Sequence, residues 1–182
     1  NISNTAVGVG ALALNTTGSG STAFGNKALS KSTGGNANEF GSSALENLTT
    51  GTSNLAIGYT ALNQTSTQNS NTAVGDQAMR YSTGANNTVL GASALLGVSG
   101  QTNGINNTAI GALALRNATT AAFNVGVGSN SLNNLTAGND NTVLGFLAKT
   151  SDQLVVDPSF ANRTFGDKSR RSDAISLAVE LR

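Results

Sequence analysis

The chain has 182 residues, with 10 lysines and arginines against 9 aspartates and glutamates, a net charge of +1, and neither cysteine nor histidine. That composition excludes disulfides, thiol nucleophiles, imidazole bases and most transition-metal sites. Charged residues make up only 10% of the chain, so no nucleic-acid surface is expected, and no catalytic residue, metal ligand or cofactor is assigned.

From Asn4 onward the chain repeats. Asn4-Thr5-Ala6-Val7-Gly8-Val9-Gly10-Ala11-Leu12 returns as Asn71-Thr72-Ala73-Val74-Gly75-Asp76-Gln77-Ala78-Met79 and again as Asn107-Thr108-Ala109-Ile110-Gly111-Ala112-Leu113-Ala114-Leu115. With the glycine as anchor there are nine copies, at Gly8, Gly25, Gly41, Gly58, Gly75, Gly91, Gly111, Gly128 and Gly145, spaced by 17, 16, 17, 17, 16, 20, 17 and 17 residues. A short fixed period over most of a chain indicates stacked, equivalent coils.

Each column of the repeat has its own chemistry. The residue before the anchor is always large and apolar, from Val7 and Phe24 to Leu144. Three after it comes Ala or Ser, and four after it Leu or Met in every copy but the last, where Lys149 stands. Gly and Asn-Thr pairs interrupt the chain too often for packed helices, so the short apolar runs read as strands between turns. One repeat of ~17 residues makes one coil of a β-solenoid, expected to hold two short strands and two turns, and nine coils at the ~4.8 Å strand spacing span roughly 40 Å. Length changes fall in the turns, as at Gln101–Asn106 in the 20-residue step, while the strand columns keep register.

Alternation along the strand sends Ala73 and Val74 to opposite faces. The expectation is that the large column and the Leu column fill the thin interior. The small column of Ala6, Ala23, Ala56, Ala73 and Ala109, broken by Glu39, would then be buried against another chain. Asparagine four before the anchor, in seven of nine copies, is expected to stack along the coils and cap turn backbone. The Gly-x-Gly pairs at Gly8-Val9-Gly10 and Gly126-Val127-Gly128 lack the strand–helix context of a dinucleotide site. The calcium-binding nonapeptide pattern is also missing.

On these columns the chain resembles the head repeats of trimeric autotransporter adhesins, the YadA-like heads, and related repeats of bacteriophage tail fibres and bacterial surface fibres. The segment Asn54-Leu55-Ala56-Ile57-Gly58 carries the likeness, which extends over residues 4–149. The resemblance implies an all-β, left-handed parallel β-roll, three chains about one axis, and a role in adhesion. Residues 1–149 are thus expected to form the β-roll and 150–182 a transition or neck segment, since the latter hold ten of the 19 charges and the only proline, Pro158. Within it, Asn162–Gly166 is a possible degenerate tenth coil. Ser172–Arg182 reads as a short capped helix, either comparable to the adhesin neck or covering the last coil.

The register already running at Asn1, with no signal peptide or membrane-spanning run, predicts a piece of a longer fibre and no membrane insertion in this segment. The expected partners are two further copies of the chain, as a homotrimer, and a host or cell-surface receptor, glycan or protein. The expected location is extracellular, on a virion tail fibre or a bacterial surface. Irregular positions supply the candidate binding residues, Tyr59, Tyr81, Gln101, Thr102 and Asn103, together with the Gln64–Asn69 turn that lacks its glycine. The alternative is ice binding by a column of Thr5, Thr22, Thr72, Thr88, Thr108 and Thr142, interrupted by Asn38, Leu55 and Val125. A hexapeptide-helix acyltransferase is discounted for want of a six-residue subperiod and a catalytic histidine.

Overall fold

The computed structural model describes residues 3–101 and 104–149, and the backbone of 155–156. Each repeat contributes one three-residue strand: β1 (Thr5–Val7), β2 (Thr22–Phe24), β3 (Asn38–Phe40), β4 (Leu55–Ile57), β5 (Thr72–Val74), β6 (Thr88–Leu90), β7 (Thr108–Ile110), β8 (Val125–Val127) and β9 (Thr142–Leu144). They pair in chain order in one parallel sheet, in which the two-residue β10 (Val155–Val156) pairs with β9. Register does not slip: Ala6 pairs with Ala23, Ala23 with Glu39, Glu39 with Ala56, and so on to Val143. Among the described residues there is no helix, and the chain is a β-solenoid.

The expected second strand of each coil is replaced by turns. From the anchor glycine the chain enters a tight turn, with the amide three residues on donating back to the anchor carbonyl, as Ala61 to Gly58 at 3.3 Å and Ala78 to Gly75 at 3.2 Å. The residue two after the anchor has positive φ, as at Thr60 and Gln77, which is the third position of a type II turn. The apolar residue four after the anchor is also in the left-handed region, with φ of 43 to 53° from Leu12 through Leu132. A non-glycine residue there costs about 1 kcal/mol or more. Burial and coil-to-coil bonding offset this cost: Leu62 is fully buried and its N–H donates to Ala78 O in the next coil at 3.0 Å.

The anchor glycines stack directly. A Cβ on Gly58 would run into the carbonyl of Gly75, and one on Gly75 into that of Gly91. Glycine is therefore required both by a φ of +139° at Gly75 and by the approach of the neighbouring backbone. The stacked asparagines form the ladder expected of them. Oδ1 of Asn71 accepts from Asn87 N–H at 3.0 Å, Asn87 from Asn107 at 2.8 Å, Asn107 from Asn124 at 3.0 Å, and Asn124 from Asn141 at 3.0 Å. Their Nδ2 groups reach turn carbonyls, Gly84 from Asn71 and Ala121 from Asn107, both at 2.9 Å. Ser21 takes the same place with a weaker link, its Oγ accepting from Ala37 at 3.3 Å.

The two faces of the strand are the reverse of the expectation. The small column is inside: Ala23, Ala56, Ala73, Val89, Ala109 and Val143 are fully buried, beside the Leu column and the Ala column three past the anchor. The large column points outward, with Phe24 52% exposed, Leu90 51% and Val7 47%. The reason is space. A Cβ on Gly126 would lie 3.1 Å from Ser131 Oγ and 3.5 and 3.6 Å from the Cδ1 atoms of Leu132 and Leu115. With the leucines already filling the lumen, little room is left opposite them, and the column is mostly alanine, with valine at Val89 and Val143 and glycine at Gly126. Ala73 and its column are thus core, not a contact with another chain. The candidate tenth coil at Asn162–Gly166 and the helix from Ser172 lie outside the described residues.

Candidate functional site

Two surface features stand out from the repeat. The first is the outward apolar column, Val7, Phe24, Phe40, Ile57, Val74, Leu90, Ile110, Val127 and Leu144, one side chain per coil. It runs the length of the stack beside the outward threonine column. Phe24 and Phe40 stack on each other at 6.1 Å between centroids, with 24° between their planes. A continuous exposed apolar stripe on a chain whose own core is closed marks an interaction surface.

The second feature lies on another face, in the column six residues past the anchor: Lys31, Asn47, Gln64, Tyr81, Gly97, Asn117 and Asn134. Most of these side chains are polar, and some bond along the row, Lys31 Nζ to Asn47 Oδ1 at 2.7 Å and Asn117 Nδ2 to Asn134 Oδ1 at 2.9 Å. At Gly97 the row loses its side chain, and the long turn of that coil begins. The gap leaves a recess of about 320 Å³ lined by Gln64, Tyr81, Thr83, Ser99, Gly100 and Gln101. Gln64, Ser99 and Gln101 are exposed and Tyr81 is half-buried. The Arg80 guanidinium lies 4.9 Å from the Tyr81 ring centroid, a cation–π contact, and its Nη1 donates to Gln77 Oε1 at 3.4 Å. Arg80 Nε is buried without a hydrogen-bond partner.

The structure therefore brings together Tyr81 and Gln101 of the sequence-based candidates. Tyr59 is 57% exposed but does not line this recess, and Thr102 and Asn103 lie outside the described residues. Thr83, Ser99 and Gly100 were not singled out, and Gln64 was noted only for its turn. The signal that finds them is the column they share with, or flank beside, Tyr81, and its interruption at Gly97.

One buried group breaks the pattern. Glu39 stands in the interior column between Ala23 and Ala56, fully buried, and neither carboxylate oxygen makes a hydrogen bond of good geometry. Burial pushes its pKa up from 4.5 to about 9. The amides of Leu29 and Ala44 pull partly back, and the negative Glu46 adds to the rise. At neutral pH the group is a neutral acid. Glu46 itself pairs on the surface with Lys27 at 3.8 Å. Among the described residues, no group of three acidic, histidine or cysteine side chains is placed to hold a metal, and there is no helix long and apolar enough to cross a membrane. No family model matches the chain, and no curated protein or solved structure matches it either.

Proposed function

We propose that the chain is a module of a trimeric surface fibre, in which three left-handed rolls meet along their outward apolar columns and present the remaining surface to a receptor. The observation that carries this is the stripe from Val7 to Leu144, exposed or half-exposed although the coils from Ala23 to Val143 already have a closed interior. Burying nine half-exposed apolar side chains contributes on the order of 10 kcal/mol per chain before the cost of association. A stripe one residue wide suits convergence on an axis, because three narrow columns close a ring in which each coil meets equivalent neighbours. A flat pair of chains leaves one side of each column wet. The likeness to adhesin head repeats points the same way and supports a location outside the cell, on a phage tail fibre or a bacterial surface. The polar recess at Tyr81 lies on a different face from the stripe and is the candidate receptor contact.

Native mass spectrometry tests the assembly. The expected particle has three times the 18.2 kDa chain mass, and Ile57→Glu with Val74→Glu is expected to yield folded monomers. A wild-type chain that stays monomeric at micromolar concentration overturns the trimer.

The outward position of Thr5, Thr88 and Thr142 supports a second reading, ice binding. Against it, the neighbouring outward column alternates among Val, Phe, Ile and Leu, which roughens the plane that a second threonine column would keep flat. A freezing-hysteresis measurement separates the two readings: activity that survives the stripe variants favours ice.

A further inference from the structure

We infer that the recess beside Tyr81 is a binding site for a neutral glycan, taking one or two pyranose units. The assignment rests on the reading of the chain as a receptor-contacting fibre and names the chemistry of that receptor. Three observations carry it. The recess is about 320 Å³ and is lined by only six residues, the size of a small sugar segment, whereas a specific protein partner engages roughly 20–30 residues a side. Its lining combines one aromatic ring with two primary amides, Gln64 and Gln101, and the hydroxyls of Thr83 and Ser99. A pyranose needs that combination. Its C–H face packs on the ring face that Arg80 does not cover, and its hydroxyls, each both donor and acceptor, match amides that offer both functions.

The third observation is charge. Among the described residues, no ionisable carboxylate or ammonium lines the recess. Arg80, next to Tyr81 in the chain, is held by the Tyr81 ring and by Gln77 Oε1 and does not line the recess. The lining itself offers an acidic sugar no counter-charge, so the neutral class is favoured. The site also follows from the architecture. The polar column loses its side chain at Gly97, and the turn through Ser99, Gly100 and Gln101 walls the gap. No other coil has glycine at that position.

The test uses the full chain and saturation-transfer NMR with neutral oligosaccharides of glucose, galactose and N-acetylglucosamine, alongside a sialylated set. Transfer to at least one neutral oligosaccharide is expected, with affinity falling tenfold or more in Tyr81→Ala and in Gln64→Ala. Tyr81→Phe should stay within a few-fold of wild type, and Tyr59→Ala should be unchanged. Native mass is recorded on every variant, so loss of assembly is seen separately from loss of binding. If no neutral oligosaccharide binds, if only the sialylated set does, or if Tyr81→Ala and Gln64→Ala both bind as wild type, the glycan assignment is overturned while the fibre reading stands on the mass. Binding that persists in a chain that never trimerises removes the fibre and keeps the site.

Discussion

Glu39 sits in a column where most other coils carry alanine or valine, and its energetic consequence depends on pH. Its folded pKa is about 9 against 4.5 for the free group, so the folded chain keeps a proton that the unfolded chain loses. The stabilising contribution is complete below about pH 4.5, falls as pH rises by up to ~1.4 kcal/mol per unit, and is gone above about 9. Wild type should therefore melt at progressively lower temperature between pH 5 and 9. Glu39→Gln should flatten that dependence. Glu39→Val, which copies Val89 in the same column, should raise the melting temperature at pH 8 by several degrees. Melting curves at three pH values decide it: parallel behaviour of wild type and Glu39→Gln removes the buried acid from the account. Ala73→Glu places a second acid in the same interior and is expected to unfold the coil, not to separate chains, because Ala73 is fully buried within its own chain.

At the scale of the coil, the fold is held by ladders running perpendicular to the chain. The asparagine ladder is the more informative, because each member serves two coils. Removing the Asn87 side chain strips the buried N–H of Asn107 of its 2.8 Å acceptor and frees the Gly104 carbonyl bonded at 3.3 Å. Leaving such groups unpaired costs about 1–3 kcal/mol. Urea unfolding of Asn87→Ala should show a loss of that size, and Asn87→Ser a smaller one, since Ser21 already fills this role at the start of the stack. Gly75→Ala is expected to be worse than either. Its Cβ would meet the Gly91 carbonyl, and its φ of +139° disfavours any side chain, so the stack must open between β5 and β6. A melting temperature for Gly75→Ala within a degree or two of wild type contradicts direct glycine stacking.

At the scale of the whole molecule, the solenoid has an inside already filled by its leucine column and an outside that carries a second large apolar column in one line. Stripe and recess therefore make separable demands. Substitutions at Ile57 or Val74 should change particle mass and leave the far-ultraviolet dichroism of the coils β-like, because these side chains contribute little to the core of their own chain. Substitutions at Gln64 or Gln101 should leave both the particle mass and the dichroism unchanged. Stacked coils contact only their neighbours, so stability is expected to be a sum of local terms. On that ground, a defect at Gly75 should be detected by hydrogen exchange in β5 and β6 before it reaches β1 or β9. Uniform loss of protection along the stack contradicts this expectation.

The anchors, the period and the chemistry of each column were legible in the chain itself, because identical coils must repeat identical local demands: glycine where backbones touch, asparagine where a turn needs both a donor and an acceptor, leucine where the lumen must be filled. Those demands act between residues a fixed number apart, so periodicity reveals them. Which side of the strand faces inward is different. Alternation states that Ala73 and Val74 point apart, and size alone argues for the valine inside. The interior instead takes the alanine, because the leucine four past the anchor already occupies the space across the coil. The same holds for the recess. Tyr81 and Gln101 were visible as irregularities, but their meeting with Gln64 across three coils follows from the stacking of turns, and only the folded chain brings those turns together.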